Sequence, residues 1–244
     1  MSKIVKRTLQ FIELFAEEKR PLSLSEISRL LEIPMSSCFD VVQTLQEQGY
    51  IYELGHRAGF YPTARLSELS SIIAEHDPVT LRAGHTLRAL RDELDESVSL
   101  ARGTGQQATY LLVYEPSHRL RFMVRVGDPV RALHATSAGK AILATMPPDE
   151  AKALIDTLTM EQLTENTITD AKQLLADVEQ ARAQGYAVNR EESVMTATTV
   201  TAWFTWYRST YFVTVAGPTF RVEPRLDEVV ARLKRACDEL ANPA

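Results

Sequence analysis

The stretch from Leu22 to Pro62 constrains the fold more than any other part of the chain. Ser23 and Glu26 have the spacing of a capping box, in which a hydroxyl and a carboxylate each satisfy a free amide at a helix start. The helix that begins there should stop at Ile33-Pro34, because the residue before a proline is pushed out of the α region. A second amphipathic run follows and is closed by Gly49. The spacing therefore predicts two short helices that share one small core.

Two short strands are predicted directly after the second helix. That helix has apolar positions about one turn apart at Phe39, Val42 and Leu45, which indicate its core-facing side. Residues 50–54 and 60–61 then have the character of strands, joined by a turn with a glycine at each end. The combination predicts a winged helix-turn-helix, a fold that places its second helix in the DNA major groove.

A helix is predicted on each side of this unit. The first starts near Ser2 and ends before Arg20-Pro21, and its apolar face is formed by Ile4, Leu9, Ile12, Leu14 and Phe15. The second is a linker helix whose apolar stripe has no obvious partner in its own domain, formed by Leu66, Leu69, Ile72 and Ile73. Pairing of this stripe with the same helix of a second chain is a reasonable expectation.

Composition limits the classes of function. The net charge of −5 argues against a protein that coats nucleic acid non-specifically, so DNA affinity would depend on where basic residues are placed. The sequence has no apolar run of membrane-span length and no signal-peptide core, which favours a cytoplasmic protein without membrane contact. Cys38 and Cys237 are the only cysteines and lie far apart in sequence, so neither a disulfide framework nor a metal site is expected, and no cofactor is predicted.

The second half of the chain has the pattern of an α+β domain with a largely antiparallel sheet. A helix is expected over 79–94, with Leu81 on its apolar face, and an antiparallel meander over 97–102, 108–114 and 120–126. Later helices are predicted at 137–145, 148–157, 170–184 and 225–240, and later strands at 186–191, 196–207 and 211–216. The predicted domains are a winged helix-turn-helix (1–62), a linker helix (63–77) and an α+β domain (78–244).

The predicted DNA contacts lie mainly on the second helix of the winged domain. Ser36 and Ser37, with the free amides of the helix N-terminus, can hold a phosphate. Gln43 can pair with adenine through two hydrogen bonds, and Asp40 can accept a hydrogen bond from cytosine N4. The full predicted set is Arg7, Ser25, Ser36, Ser37, Phe39, Asp40, Gln43, Thr44, His56 and Arg57.

Several motifs resemble the IclR family of bacterial transcriptional regulators along nearly the whole chain. Residues 133–141, Leu-His-Ala-Thr-Ser-Ala-Gly-Lys-Ala, are similar to the family's most recognisable effector-domain motif. Segments that look like its winged helix or its other landmarks are 5–9, 23–34, 45–50, 185–188 and Gly217-Pro218. The resemblance implies a DNA-binding domain, a linker helix, a GAF-like C-terminal domain that binds a small molecule, and homodimers or dimers of dimers on operator DNA.

The resemblance also implies a pocket for a small organic effector. Carried over position by position, its lining is Met123, Arg131, Ser137, Ala138, Asn189, Ala197, Thr199, Thr214 and Ala216. The period of two residues in a strand independently places Ala197, Thr199, Thr201, Trp203 and Thr205 on one face.

The residue types in this pocket leave the ligand class open. Arg131 can pair with a carboxylate, and Trp203 or Trp206 can stack on a planar ligand. Residues 194–207 are rich in threonine and contain tryptophan, where the family usually has a Gly-Val-Arg-Cys-like segment. A neutral or aromatic compound is therefore as plausible as a simple organic acid.

Two other classes of function stay open at this point. The predicted recognition helix lacks the basic residues that the family usually shows, which leaves room for a winged-helix protein-interaction module without DNA binding. His134 near Ser137 raises acid/base or nucleophilic chemistry, but no nucleophile elbow, Gly-rich phosphate loop or metal-spaced cluster accompanies it. We therefore expect the protein to regulate transcription of a catabolic operon and not to be an enzyme.

Overall fold

The chain divides into two compact units, Met1–Asp77 and Pro78–Ala244. The computed structural model describes residues 3–55, 58–122 and 124–242. Three residues with a predicted role, His56, Arg57 and Met123, therefore lie outside the described residues.

The first unit is a winged helix-turn-helix followed by a further helix, which confirms the predicted fold class. Its elements are α1 (Lys3–Glu18), α2 (Leu24–Leu30), α3 (Met35–Glu47), β1 (Ile51–Glu53), β2 (Phe60–Pro62) and α4 (Arg65–Glu75). The strands β1 and β2 pair antiparallel and form the wing. Helix α4 buries none of its side chains within the described structure.

Local hydrogen bonds set the ends of α2 and α3. The Ser23 hydroxyl accepts from the Glu26 amide at 3.3 Å, and the Ser23 amide donates to the Glu26 carboxylate at 2.9 Å, which completes a capping box. The Ser23 amide, then Arg20 and the Ser23 hydroxyl, lower the pKa of Glu26 to about 2. At the end of α3, Gly49 has a φ of +73°, and the Tyr50 amide returns to the Leu45 carbonyl at 2.8 Å.

The core of the first unit differs from the predicted apolar faces at three positions. Ile4 and Leu9 are 70% and 56% exposed, and Phe39 is 53% exposed. The core lies between α1, α2, α3 and the wing, and its buried residues are Phe11, Leu14, Phe15, Leu22, Ile27, Cys38, Val41, Val42, Leu45 and Ile51. Ile4 lies two turns before the first buried residue of α1, whereas Leu9 points to the opposite side of that helix.

The second unit is a five-stranded antiparallel sheet with helices on both faces. Its strands are β3 (Ser97–Thr104), β4 (Gln107–Tyr114), β5 (Tyr186–Arg190), β6 (Ala197–Trp206) and β7 (Ser209–Pro218), in the order β4-β3-β7-β6-β5. Its helices are α5 (Pro78–Leu94), α6 (Ser137–Thr145), α7 (Pro148–Thr157), α8 (Ala171–Gln184), α9 (Thr219–Val222) and α10 (Leu226–Ala241).

The two faces of this sheet have separate hydrophobic cores. Helices α5 and α10 cover one face, where Val200 and Val213 pack against residues such as Leu87 and Leu233. Helices α6 and α8 cover the other face, where Ile142 belongs to the core. Strand alternation therefore turns Val200 toward α10 and its neighbours Thr199 and Thr201 toward α6. Leu81, predicted to be on the apolar face of α5, is 64% exposed.

The third strand predicted for the meander is not formed. The described part of residues 115–136, here called the cover segment, contains no helix or strand beyond a single bridge between Thr109 and Pro129. The outer edge of β4, where a third meander strand would pair, carries no strand within the described residues, while the other edge of β3 pairs with β7, for example Val98 with Val215. The cover segment returns beside β4, where the Val130 amide donates to the Ala108 carbonyl at 2.7 Å. Among the described helices, none is long and apolar enough to cross a membrane.

Candidate functional site

A cavity of about 300 Å³ lies between the cover segment, the start of α6 and the strands β6 and β7. Its lining residues are Tyr110, Phe122, Val124, Asp128, Pro129, Arg131, Ala132, Thr136, Ser137, Ala138, Asn189, Ser193, Val194, Thr199 and Thr214. This volume is at the small end of ligand-binding cavities, which favours a molecule of about one ring or less.

The start of α6 supplies free backbone donors to this cavity. Thr136 caps the helix, because its hydroxyl accepts from the Gly139 amide at 3.0 Å and its carbonyl accepts from the Lys140 amide at 2.9 Å. The amides of Ser137 and Ala138 come first in the helix and have no acceptor within the described chain. Such amides, together with the helix dipole, favour a carbonyl or carboxylate oxygen.

Four threonine and serine hydroxyls form a chain along one wall of the cavity. The Ser137 hydroxyl lies 2.7 Å from the Thr199 hydroxyl and 2.8 Å from the Thr201 hydroxyl. The Thr201 hydroxyl in turn lies 2.8 Å from the Thr214 hydroxyl. Ser137, Thr199 and Thr214 line the cavity, whereas Thr201 is fully buried behind them.

Asn189 is held by three hydrogen bonds that fix its orientation. Its amide nitrogen donates to the Ala135 carbonyl at 2.7 Å and to the Ser193 hydroxyl at 2.9 Å, and its oxygen accepts from the Glu192 amide at 2.8 Å. A carbonyl can only accept and an amide N–H can only donate, so the reverse orientation of the side chain is excluded. Both hydrogens are used, and Asn189 can offer a ligand only its oxygen.

Two charged residues and a phenol line other parts of the cavity. Arg131 is exposed, and its guanidinium forms no ion pair with any described residue. Burial, with a smaller contribution from Asp128, raises the pKa of Tyr110 to about 12, so its phenol is neutral at physiological pH. The cavity therefore combines a neutral polar wall with one cation and one anion, Arg131 and Asp128.

The structure brings most of the predicted pocket residues together and places three elsewhere. Arg131, Ser137, Ala138, Asn189, Thr199 and Thr214 lie around the cavity. Ala197, Trp203 and Ala216 do not line it, and Trp203 packs against the core beneath α6. Trp203 shares a strand face with Thr199 but lies four residues along, about 13 Å away, where α6 covers the sheet. Met123 is outside the described residues, between two that line the cavity.

Stacking of a ligand on either tryptophan is not supported by the structure. Trp203 is in the core under α6, and Trp206 packs on the other side of the sheet, where the Arg82 guanidinium lies 5.1 Å from its ring centroid. The aromatic rings that do line the cavity belong to Tyr110 and Phe122. Phe122 was not expected there because residues 120–126 have the alternation of a strand, whereas Tyr110 lies on the correctly predicted strand 108–114, whose pattern gives no sign that it faces a cavity.

The described residues give no support to a metal or histidine centre. No group of three or more histidine, cysteine, aspartate or glutamate side chains that could hold a metal is present in the described parts of the chain. His134 is buried, its Nε2 lies 2.9 Å from the Glu161 carbonyl oxygen, and it does not line the cavity. Its proximity to Ser137 in sequence therefore has no counterpart at the cavity.

The predicted DNA-contacting residues of α3 occupy two faces of that helix. Ser36, Phe39 and Gln43 are exposed on one face, where the Gln43 amide donates to the Glu47 carboxylate at 3.0 Å. A separate set lines a groove between α3 and α1, formed by Ile4, Arg7, Thr8, Ser37, Asp40, Val41, Thr44 and Leu45.

The groove and the capping box account for the remaining predicted DNA contacts. Across the groove, the Arg7 guanidinium donates to the Ser37 hydroxyl at 3.4 Å. Ser25 is exposed at the start of α2, and its hydroxyl lies 3.0 Å from that of Ser23. Arg7 therefore places a cation beside the start of α3, which itself has none.

An exposed second helix on a winged helix-turn-helix, together with an α+β unit that contains a cavity, is the arrangement of a ligand-responsive DNA-binding regulator. A family model described as the C-terminal domain of the bacterial transcriptional regulator IclR matches residues 72–242. A second, described as the IclR helix-turn-helix domain, matches residues 4–55. The chain belongs to the IclR family of bacterial transcriptional regulators.

Individual relatives show how far this similarity extends. The transcriptional repressor AllR of Escherichia coli K12 is 30% identical over 173 residues, 71% of this chain and 64% of AllR, so the chain matches less than two thirds of that relative. The regulator KdgR of the same strain is 26% identical over 227 residues, 92% of this chain and 86% of KdgR. The structure of an IclR homolog from Microbacterium hydrocarbonoxydans, complexed with 4-hydroxybenzoate, has a TM-score of 0.75 at 20% identity and covers 98% of both chains.

Proposed function

We propose that this protein is a sequence-specific DNA-binding transcriptional regulator of a catabolic operon, and that a small organic effector controls it. The observation that carries the proposal is the cavity of about 300 Å³ whose wall includes the first amides of α6. Family membership supports the regulatory role, and two of the relatives are a transcriptional repressor and a transcriptional regulator. In this proposal the partners are operator DNA and the effector, with no catalytic step.

In the DNA-binding unit, we propose that the exposed face of α3 enters the major groove. Ser36 at the helix start suits a phosphate, and Gln43 suits an adenine edge. Arg7, which lies beside Ser37, adds a positive charge near the start of the helix. Because the chain is acidic overall, affinity would come from these placed contacts, and it should fall as the salt concentration rises.

In the second unit, we propose that the effector presents a carboxylate or carbonyl oxygen to the free amides of Ser137 and Ala138. Arg131 lines the same cavity and can balance a negative charge. The side chains of Tyr110 and Phe122 suit a single planar ring, and a relative of the same fold is complexed with 4-hydroxybenzoate. A small aromatic or aliphatic acid therefore fits the residues better than a large ligand.

A homodimer, or a dimer of dimers, is part of the proposal. Helix α4 has no buried side chain in the described structure, yet Leu69, Ile72 and Ile73 are 37%, 49% and 71% exposed along one stripe. Pairing of two α4 helices would cover that stripe. In this mechanism, effector binding changes how two copies pair and thereby alters the spacing of the two winged helices on DNA.

One observation favours a second candidate function, a winged-helix module that binds a protein instead of DNA. Helix α3 carries no lysine or arginine, and its charged residues are Asp40 and Glu47. A gel shift with the protein and the DNA upstream of its own gene separates the two functions. A discrete complex that weakens as salt rises supports DNA binding, whereas no complex at low salt contradicts it and favours the interaction module.

Thr199→Leu tests the cavity as the effector site. The larger side chain takes up part of the cavity and removes a hydroxyl from its wall, and a misfit of this size in a binding pocket is worth about 1–3 kcal/mol, so we expect effector binding to weaken roughly 5- to 150-fold. Thr205→Leu is the matched control, because Thr205 lies on the same face of β6 but is exposed and outside the cavity.

Isothermal titration with a compound that raises the melting temperature of the wild type is the measurement. DNA binding by both variants should match the wild type. Equal loss of effector binding in Thr199→Leu and Thr205→Leu, or loss of DNA binding by Thr199→Leu, would show that the cavity is wrongly assigned.

A further inference from the structure

Thr201 is buried behind the cavity, has no predicted effector contact, and joins two hydroxyls that do face the cavity. Its hydroxyl lies 2.8 Å from those of Ser137 and Thr214, on β6, between α6 and β7. Through Ser137 it also connects to Thr199, which completes a chain in the order Thr199, Ser137, Thr201, Thr214. Within the described chain, none of the four hydroxyls has any other hydrogen-bond partner.

The number of protons in this chain limits what the wall can donate. Each hydroxyl carries one proton and can accept two hydrogen bonds, so four hydroxyls joined by three bonds use three protons and keep one. The three hydroxyls that line the cavity therefore share a single free proton at most. Their oxygen lone pairs are in excess, so the wall accepts hydrogen bonds more readily than it donates them.

Asn189 adds to the excess of hydrogen-bond acceptors over donors at this wall. Both of its amide hydrogens are bound to Ala135 and Ser193, and only its oxygen can face a ligand. The donors that remain at the cavity belong to other segments, namely the amides at the start of α6 and the side chains of Tyr110, Arg131 and Ser193. The strand wall, formed by the hydroxyls of Ser137, Thr199 and Thr214 and the side-chain oxygen of Asn189, therefore mainly accepts hydrogen bonds. The α6 amides, in contrast, only donate them.

We propose that Thr201 is a specificity-determining positioning residue, which makes the strand wall an acceptor and selects effectors that carry a hydroxyl or N–H donor beside their acid or carbonyl group. The inference rests on the proposed function of the cavity and narrows its ligand class. A hydroxy acid satisfies both sides, since its carboxylate meets the α6 amides and its hydroxyl donates to the wall. The corresponding keto acid leaves the wall oxygens without a donor, which disfavours it.

The substitution Thr201→Val should change the number of free hydroxyl protons at the cavity. A residue with a purely structural role would not have this effect. Valine has nearly the shape of threonine but no hydroxyl, so the chain breaks into the pair Ser137–Thr199 and the single hydroxyl of Thr214. The pair keeps one proton and Thr214 keeps its own, so the wall then has two free donors instead of one. Removal of a hydroxyl that does not touch the effector should therefore make the wall more favourable to acceptor groups.

Two pairs of probes test this inference, mandelate against benzoylformate and lactate against pyruvate. Each pair differs only by a hydroxyl in place of a ketone. In the wild type, the hydroxy member should bind about three- to tenfold more tightly, the range expected for one net hydrogen bond. In Thr201→Val this preference should shrink by a similar factor or invert. Isothermal titration of the full chain gives both affinities, and their ratio is independent of any loss common to the pair.

Two further variants separate specificity from stability. Thr201→Ser keeps the hydroxyl and should retain the wild-type preference even if it lowers the melting temperature. Thr198→Val removes a fully buried hydroxyl from the opposite face of the same strand, where it donates to Thr219 at 3.1 Å, and should also leave the preference unchanged. If Thr201→Val fails to fold, the ratio measured in Thr201→Cys, whose thiol is a weak donor, takes its place.

The outcomes distinguish this inference from the proposed function. An unchanged preference in the substituted protein, or a wild type that prefers the keto acids, overturns the inference while the effector site stands. Absence of binding by all four probes overturns the ligand class, and the proposed function is then judged by the gel shift and by compounds of other classes. If the preference for hydroxy acids changes equally in Thr198→Val, the cause is a general loss of packing in β6 and not the number of free hydroxyl protons at the wall.

Discussion

Replacing Lys140 with methionine is expected to lower the free energy of unfolding of the second unit by about 3–5 kcal/mol, the cost of removing one partner from a buried ion pair. The Lys140 side chain is 1% exposed, and its ammonium lies 2.6 Å from both the Asp177 and the Glu192 carboxylates. Glu192 is also buried, and one of its carboxylate oxygens has no partner in the described structure. The substitution leaves that charge without compensation.

The deficit should depend on pH in a defined direction. Burial raises the pKa of Glu192 above its usual 4.5, against the opposing effect of Lys140. A carboxyl with a raised pKa in the folded state binds more protons there than in the unfolded chain, so its ionisation costs stability as pH rises through that raised value. Loss of Lys140 raises the folded pKa further. We therefore expect a larger deficit at about pH 8 than at about pH 5.

Urea denaturation followed by tryptophan fluorescence measures this effect, because both tryptophans, Trp203 and Trp206, lie in the second unit. Lys152→Met is the matched control, since Lys152 forms an exposed pair with Asp156 that should contribute less than about 0.5 kcal/mol. The double variant Lys140→Met with Glu192→Gln should recover part of the loss, because it removes the uncompensated charge as well. A loss no larger than that of Lys152→Met would contradict this account of α6.

Gly139→Ala should destabilise the second unit by about 1–3 kcal/mol, although alanine is the better helix former. Inside a helix this replacement normally stabilises by about 0.5–1 kcal/mol. At Gly139, however, a Cβ would overlap the Leu133 backbone at the Cα, carbonyl carbon and oxygen, which cannot move independently. The cost of this steric overlap should exceed the gain in helix propensity. We therefore expect the start of α6, with the Ser137 and Ala138 amides, to shift.

Gly84→Ala is the control for this change, because Gly84 also lies inside a helix, α5. A Cβ there would meet only the Tyr114 hydroxyl at 3.1 Å, the mobile end of a side chain. We expect Gly84→Ala to be neutral or slightly stabilising in the same denaturation measurement. If both alanines stabilise the protein, the close approach of α6 to residue 133 does not limit its start, and the geometry proposed for the effector amides loses its basis.

Features set by local chemistry could be predicted from the sequence. The capping box of Ser23 and Glu26, the reversal at Gly49 and the start of α6 at Ser137 each depend on residues within about one turn. Family resemblance added the pocket positions in the cover segment, on α6 and on the strands β5, β6 and β7, which local patterns could not connect. The winged helix and the antiparallel α+β unit were predicted for these reasons, and both are confirmed.

Features set by distant residues could not be predicted. The alternation from Leu120 to Val126 is that of a strand, which in a meander would pair with the outer edge of β4, but in the described structure residues 127–130 take that edge instead. The same segment then becomes the cover of the cavity, with Phe122 and Val124 in the lining. Strand period placed Trp203 on the correct face of β6, but it could not show that α6 covers that position.

The central claim is that the effector cavity and the DNA-facing helix are coupled, and the most direct test is a ligand titration with and without bound DNA. A compound that raises the melting temperature of the wild type is titrated into the free protein and into its complex with the upstream duplex. The account predicts that DNA changes the ligand affinity by the same factor, about 5- to 150-fold, by which the ligand changes the DNA affinity. Identical ligand affinities in the two titrations would contradict it.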